Sequence, residues 1–159
     1  MNDEEEIPEA LVVEAVLAAS RVFVALAARS LADTADEVTL AQYRALVVLA
    51  SRGPQNVAGL ALNLEVTPAT ATRMCDRLVR KSLIRRTHDR GDRRTVRLNL
   101  TVKGRNLVDS VSDRRRGEIR EILRSVPGAE QSTLVHALNL LTTAGGEVPE
   151  QAWSTGWDL

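Results

Sequence analysis

The stretch VAGLALNLEVTPATATRMCDRLVRKSLIRRTHDRGDRRTVRLNLTVKG, residues 57–104, changes its hydrophobic period part-way along. Ala71, Met74, Cys75 and Leu78 recur at the i, i+3, i+4, i+7 spacing of a helix with one buried face. Thr67 precedes that helix as an N-cap, and Pro68 takes the first helical position, where a missing N–H costs nothing. A short helix over Ala58–Leu64 is expected before it. Further on, Val96, Leu98 and Leu100 alternate with Thr95, Arg97 and Asn99, the period of a half-buried strand. With LIRRTH before it and a DRGD turn between, the segment reads as a β-hairpin. The order is therefore short helix, tight turn, helix, hairpin.

Charge is concentrated in the same place. The 159-residue chain has no formal net charge, yet Val66–Arg105 holds twelve Lys and Arg against Asp76, Asp89 and Asp92, a balance of +9 that the remainder offsets with −9. A basic block inside an otherwise acidic protein fits a polyanionic partner. A solvated charged surface is the competing reading, and the residues within the block decide between them. On a helical wheel, Ala69, Arg73, Asp76 and Arg80 point most directly away from the apolar face, with Thr70 and Arg77 on one flank and Thr72 on the other. Small residues at the start of the helix allow close approach to base edges, and the hydroxyls of Thr67, Thr70 and Thr72 suit bases or phosphates. Arg73 is long enough for a bidentate contact to guanine. Arg77, Arg80 and Lys81 suit phosphates, which set register without reading sequence. Two helices joined by a tight turn, the second basic on its outer face, make a helix-turn-helix, and a hairpin directly after it makes the winged variety.

The flanks are helical. Ile7 to about Leu31 reads as a long helix that is apolar on more than one side, which implies packing beyond its own domain. Residues 33–38 read as a linker. TLAQ at 39–42 is a capping box opening a helix with Tyr43, Leu46, Val47 and Leu49, which stops at Arg52-Gly53-Pro54. Thr101 caps a long helix to about Ser125, Pro127-Gly128 breaks it, and a last helix carries Leu134, Leu138 and Leu141 on one face until Gly145-Gly146. Hydrophobic content of 44% with only 3% aromatics implies an aliphatic, helical core. One cysteine excludes an internal disulfide framework and suits a reducing compartment. The apolar run at 10–28 is interrupted by Glu14 and Arg21, so no membrane span is expected, and the acidic start is unlike a signal peptide. Cytoplasmic residence is the expectation.

Residues 57–86 followed by 89–104 resemble the winged helix of MarR-type transcriptional regulators. Asp92-Arg93-Arg94 matches the Asp-x-Arg of the family's wing tip, and Leu100-Thr101-Val102-Lys103-Gly104 matches the Leu-Thr-x-x-Gly that ends its second strand. The likeness extends over roughly residues 8–145. It implies a mainly α fold with a small β-hairpin wing. An N-terminal dimerisation helix with an acidic arm would occupy 1–37 and the winged helix-turn-helix DNA-binding domain 38–101. C-terminal dimerisation helices would occupy 102–145, followed by a tail at 146–159. It further implies a homodimer that sets two recognition helices in successive major grooves of double-stranded DNA, at half-sites roughly 34 Å apart in a near-palindromic operator. By matching position, Arg94 is the wing arginine that enters the minor groove and Asp92 the acid that orients it. Arg86, His88, Arg90 and Arg93 surround them on the wing. Three departures from the family stand out: Glu65 and Ser82 occupy positions where glycine is frequent, and Leu62 one where a polar residue is usual. Wherever such a position needs a positive φ, a side chain brings strain.

The resemblance also implies response to a signal, either a phenolic or lipophilic small molecule held between the dimer helices and the winged domain, or cysteine oxidation. Phe23, Tyr43 and Leu46 are the candidate pocket residues, with plain core packing as the alternative. Cys75 lies on the inward face of the recognition helix, as a small hydrophobe does, and the first helix, where the family's redox sensors place their cysteine, has none. The expectation is a ligand-released repressor without redox sensing; redox sensing through Cys75 and ligand-independent DNA binding are the alternatives. The Arg114-Arg115-Arg116 run is either a solvated stretch facing the dimer cleft or an anion site. His136 reads as structural. Trp153 and Trp157 suggest a tail that docks, with docking across the dimer as one option. One cysteine and two distant histidines do not make a metal site, and no phosphate loop, nucleophile–base spacing or carboxylate pair points to an enzyme. No cofactor is expected. A protein that only bridges other proteins has no need of twelve bases beside a wing.

Overall fold

The computed structural model describes residues 7–34, 36–88, 96–150 and 153. Along the chain run α1 (Glu9–Leu31), a 3-10 turn (Ala32–Thr34), α2 (Leu40–Arg52), α3 (Val57–Asn63) and α4 (Pro68–Arg80). The hairpin β1 (Ile84–His88) and β2 (Val96–Leu100) follows, then α5 (Val102–Leu123) and α6 (Gly128–Ala144). This is the mainly helical fold with one hairpin that the sequence predicts; α3 begins one residue earlier and α5 ends two residues sooner.

The helix starts follow from their caps. At Thr39 the capping box is complete: the Gln42 backbone N–H donates to Thr39 Oγ1 (3.3 Å) and the Thr39 N–H to Gln42 Oε1 (3.2 Å). Asn56 caps α3 by accepting from the Gly59 N–H (2.7 Å), and Thr67 caps α4 by accepting from the Thr70 N–H (3.2 Å). Such a cap satisfies a donor that the helix leaves without a partner and is worth about 1 kcal/mol.

The helix ends share one device. After α3, Val66 N–H reaches Ala61 O (3.0 Å) and Glu65 N–H reaches Leu62 O (3.1 Å). After α4, Leu83 N–H reaches Leu78 O (3.0 Å) and Ser82 N–H reaches Val79 O (2.9 Å). Both are Schellman motifs, which require a left-handed residue after the cap. Glu65 (φ 54°) and Ser82 (φ 57°) supply it without being glycine. These are the two positions at which the sequence departs from the family's glycines, so the anticipated strain is present.

α2 is the central rod. Tyr43 and every residue from Ala45 to Ala50 are buried, against Leu60 of α3, Cys75 and Leu78 of α4, Leu83, Ile84, Leu98 of the hairpin, and Leu107, Val108 and Val111 of α5. The strands pair antiparallel from Ile84 opposite Leu100 to His88 opposite Val96. Gln55 adds a bridge on the other side of β2, donating to Leu98 O (3.3 Å) and accepting from the Leu98 N–H (2.7 Å). Leu62 is 80% exposed, so its departure from the family pattern leaves the packing of α3 unaltered.

The entry to α5 explains the Leu-Thr-x-x-Gly motif. Thr101 accepts the Gly104 N–H (3.0 Å) as N-cap while its own hydroxyl donates to Ser82 O (2.7 Å) and its N–H to Leu83 O (3.1 Å). Gly104 then lies so close that a Cβ there would sit 2.0 Å from Leu83 O. Only a residue without a side chain fits beneath that carbonyl.

The outer helices do not follow the same rule. α1 buries only Leu26, Ser30 and Leu31, and α6 buries nothing. Leu11, Val12, Val13, Leu17, Phe23 and Val24 of α1 and Val135, Leu140 and Leu141 of α6 face outward. The expectation that no segment has the length and apolarity of a membrane span is corrected here. Over Glu9–Thr34 the mean hydropathy of an 18-residue window reaches 2.1, and only 6% of that window is buried. Two isolated charges, Glu14 and Arg21, do not outweigh so many alanines, valines and leucines.

Gly104→Ala is expected to destabilise the fold by roughly 3 kcal/mol, since a backbone carbonyl has to move. Glu65→Gly is expected to stabilise it by about 1 kcal/mol, because glycine adopts the left-handed conformation freely. Urea unfolding followed by circular dichroism reads both, and equal signs for the two variants would contradict the geometry.

Candidate DNA interface

α4 stands out from the core on one side only. Ala71, Cys75 and Leu78 are fully buried and Met74 half-buried, whereas Thr67, Ala69, Thr70, Thr72, Arg73, Arg77 and Arg80 all face solvent. The wheel derived from spacing therefore matches the observed faces, except at Asp76. That carboxylate is half-buried and accepts from Arg86 of β1, with Nη2 2.7 Å from Oδ1. Asp76 thus joins recognition helix to wing instead of pointing directly outward, and part of the Arg86 charge is committed within the fold.

Several polar groups on α4 are already oriented. The Thr67 hydroxyl donates to Thr70 Oγ1 (2.9 Å), the Thr72 hydroxyl to Pro68 O (2.8 Å), and Arg73 Nε to Ala69 O (3.3 Å). The hydroxyl protons of Thr67 and Thr72 are thus committed within the helix, and the terminal nitrogens of Arg73 remain beyond the helix backbone. Lys81 differs from its sequence reading. Its ammonium donates to Asp36 O (3.3 Å) and to Glu37 O, so it closes the end of α4 against the loop before α2. Nearby Lys103 Nζ lies 3.6 Å from Glu37 Oε2.

On the wing, Arg85, Arg86, His88 and Arg97 are exposed, on the strands that leave the core beside α4. Asn99 Nδ2 donates to Thr87 Oγ1 across the hairpin (2.7 Å), tying the strands together near their middle. Arg90, Asp92, Arg93 and Arg94 lie outside the described residues, as does the DRGD turn.

Cys75 is fully buried, and burial pushes its thiol pKa up, against a smaller opposing effect of Arg86. A thiol with less thiolate is a poorer nucleophile. Among the described residues no group of three or more His, Cys, Asp or Glu is placed to hold a metal ion.

A second feature lies on the far side of α2. A cavity of about 330 Å³ is walled by Ala27 of α1, Leu40, Tyr43, Arg44 and Val47 of α2, Ser112, Arg115, Arg116 and Ile119 of α5, and Glu147, Val148, Glu150 and Trp153 beyond α6. Of the three residues expected at a pocket, Tyr43 lines it. Phe23 is 46% exposed on the open face of α1 and Leu46 is fully buried in the core, so neither is among its walls. Arg115 stacks over the Tyr43 ring with its guanidinium carbon 5.6 Å from the centroid, and donates to Ser30 Oγ (3.3 and 3.4 Å). Burial raises the Tyr43 phenol pKa. The three consecutive arginines thus diverge: Arg114 pairs with Asp33 (2.9 Å), Arg115 faces the cavity, and Arg116 pairs with Asp113 (2.5 Å) and Glu150 (2.7 Å). Arg44, Arg115, Glu147 and Trp153 came together through contacts far apart in sequence, and no local spacing signals them.

Comparison with known proteins agrees with this geometry. Residues 38–96 match the model of the MarR family. The chain is 33% identical over 119 residues to the HTH-type transcriptional repressor MdtR of Bacillus subtilis, covering 75% of this chain and 77% of that protein. The crystal structure of RV1404 from Mycobacterium tuberculosis superposes with a TM-score of 0.82 at 41% identity, covering 91% of this chain and 98% of that one. Wild-type MarR of E. coli, at 24% identity, shares the fold with a TM-score of 0.68 over 87% of this chain and 98% of its own. Helix-turn-helix, wing and flanking helices thus match together, and the chain belongs to the MarR family of DNA-binding transcriptional regulators.

Proposed function

We propose that the protein is a cytoplasmic repressor that binds a near-palindromic operator as a homodimer and is released by a small-molecule effector. The observation that carries the DNA reading is the division of α4 into a fully buried face and a solvent face with Thr70, Arg73, Arg77 and Arg80, next to an exposed basic hairpin. Arg73 reads a base edge; Arg77 and Arg80 bind phosphates; Arg94, with Asp92 orienting it, reaches the minor groove, where A·T-rich sequence deepens the negative potential. Arg86, His88, Arg90 and Arg93 add positive charge or phosphate contacts along the wing. The name of MdtR supports repression as the outcome.

Dimerisation is supported by the apolar faces of α1 and α6, which the described residues leave uncovered. Apolar surface of that extent on a folded chain marks an interaction site. A second copy suits it better than lipid, because the surface spreads over two helices and carries Glu14 and Arg21. Residues 1–37 and 102–145 thereby form the dimer body and 38–101 the DNA-binding domain. The cavity beside Tyr43 and Arg115 supports the effector reading.

Gel shifts across genomic fragments, beginning with the promoter of its own gene, are expected to show one fragment bound far above random duplex. Log affinity should fall by about 0.9 per phosphate contacted for each tenfold rise in salt. Binding no tighter than random duplex contradicts the regulator reading. Arg73→Ala should lose about 1–3 kcal/mol and relax preference at one base pair, whereas Arg94→Ala should lose affinity mainly through A·T-rich flanks. Light scattering should give twice the chain mass at micromolar concentration; a monomer there removes the dimer.

A further inference from the structure

The chain does not trail away after α6. Gly146, at φ 66°, makes a third Schellman turn, with its N–H on Thr143 O (3.1 Å) and the Glu147 N–H on Thr142 O (3.0 Å). The turn sends the next residues back onto the winged half. There Glu147 takes both terminal nitrogens of Arg44, at 2.6 and 2.7 Å, and Arg52 donates to Gly146 O at 2.7 Å. Both arginines belong to α2. Three residues further, Glu150 pairs with Arg116 of α5 at 2.7 Å. The Trp153 ring then packs against the core, its Nε1 donating to Val148 O at 3.0 Å.

A single surface ion pair contributes little to stability. Here, however, a forked arginine–carboxylate pair, a backbone contact, a second ion pair and an indole act on one short segment. A bidentate pair adds direction as well as energy. The hydrogen bonds from Arg44 also hold the Glu147 carboxyl below its ordinary pKa. α6 itself buries no residue in this chain. Its C-terminal end is therefore held to the winged unit by this segment.

We propose that residues 146–150, together with Trp153, act as a positioning strap, with Glu147 acting through Arg44, that sets the orientation of the winged helix-turn-helix relative to α5 and α6. Trp153 docks on the core of its own chain, and Trp157 lies outside the described residues. A dimer reads two half-sites at a fixed spacing, so recognition units held at one angle bind with less ordering cost than units free to swing. A loosened strap spreads the two recognition helices over a range of separations and weakens operator binding. Neither Glu147 nor Arg44 lies on the solvent face of α4.

The consequence for affinity rests on the DNA reading above; the docking itself does not. The test uses the full chain in a Trp157→Phe background, so that Trp153 is the one tryptophan. Arg44→Glu, Glu147→Arg and the combined swap are compared, with Glu147→Gln as a conservative control should charge reversal impair folding. Each single reversal should shift Trp153 emission to the red and weaken operator binding at least fivefold in fluorescence anisotropy; the swap should restore both. Glu147→Gln should move both readouts in the same direction. Glu147→Arg is decisive, because it adds positive charge, and simple attraction to DNA would tighten binding. Tighter or unchanged operator binding by Glu147→Arg, or a swap that fails to restore, overturns the positioning role. Trp153 emission unmoved by either reversal overturns the strap itself. A red shift in a protein that prefers no duplex leaves the strap standing and removes the operator reading alone.

Discussion

The carbonyl of Leu83 is the junction on which the winged unit depends. Its residue closes the turn after α4 through an N–H on Leu78 O, and opens β1. The oxygen then takes the backbone N–H and the hydroxyl of Thr101, which caps α5, and leaves no room for a Cβ at Gly104. Recognition helix, hairpin and the long helix leaving the unit thus converge on the backbone of one residue. Leu83 and Leu78 are fully buried, so neither oxygen has water as an alternative partner. The Leu-Thr-x-x-Gly motif is therefore architectural: it fixes where the wing lies beside α4 through contacts within the fold.

The two left-handed residues show what this geometry demands. A Schellman turn after α3 sets the angle between the helices of the helix-turn-helix, and one after α4 sets the start of the wing. Glu65 and Ser82 adopt φ values that cost an ordinary residue roughly 1–2 kcal/mol. The surrounding core outweighs that cost, since each fully buried leucine contributes about 1.5–3 kcal/mol. Packing, not local preference, decides the backbone at these turns.

Much of this was legible because it is local. The caps at Thr39, Thr67 and Thr101 act over three residues, and the inward face of α4 follows from a period of 3.6. The left-handed turns were anticipated only through the family's glycines. Contacts between distant residues were not legible. Arg86 reads as a free wing cation until Asp76 is seen beside it, and Lys81 as a phosphate ligand until the loop before α2 is folded over it. Phe23, Tyr43 and Leu46 share an apolar character, but only packing tells which of them borders a void, which fills the core and which is left open. At α1 too much weight fell on Glu14 and Arg21: a helix that the described residues leave uncovered has the same composition as one meant for lipid.

α2 connects these separate features. Its buried face carries the core through Leu46 and Leu49, Tyr43 borders the cavity, and Arg44 and Arg52 meet the segment after α6. A close-packed helix moves as a rod, because its neighbours leave no space for gradual deformation. The cavity, the segment at Glu147 and the core beneath α3 and α4 are therefore all set against the same body. The far side of α2 thus meets the cavity and the segment after α6, while its buried face carries the core beneath α4.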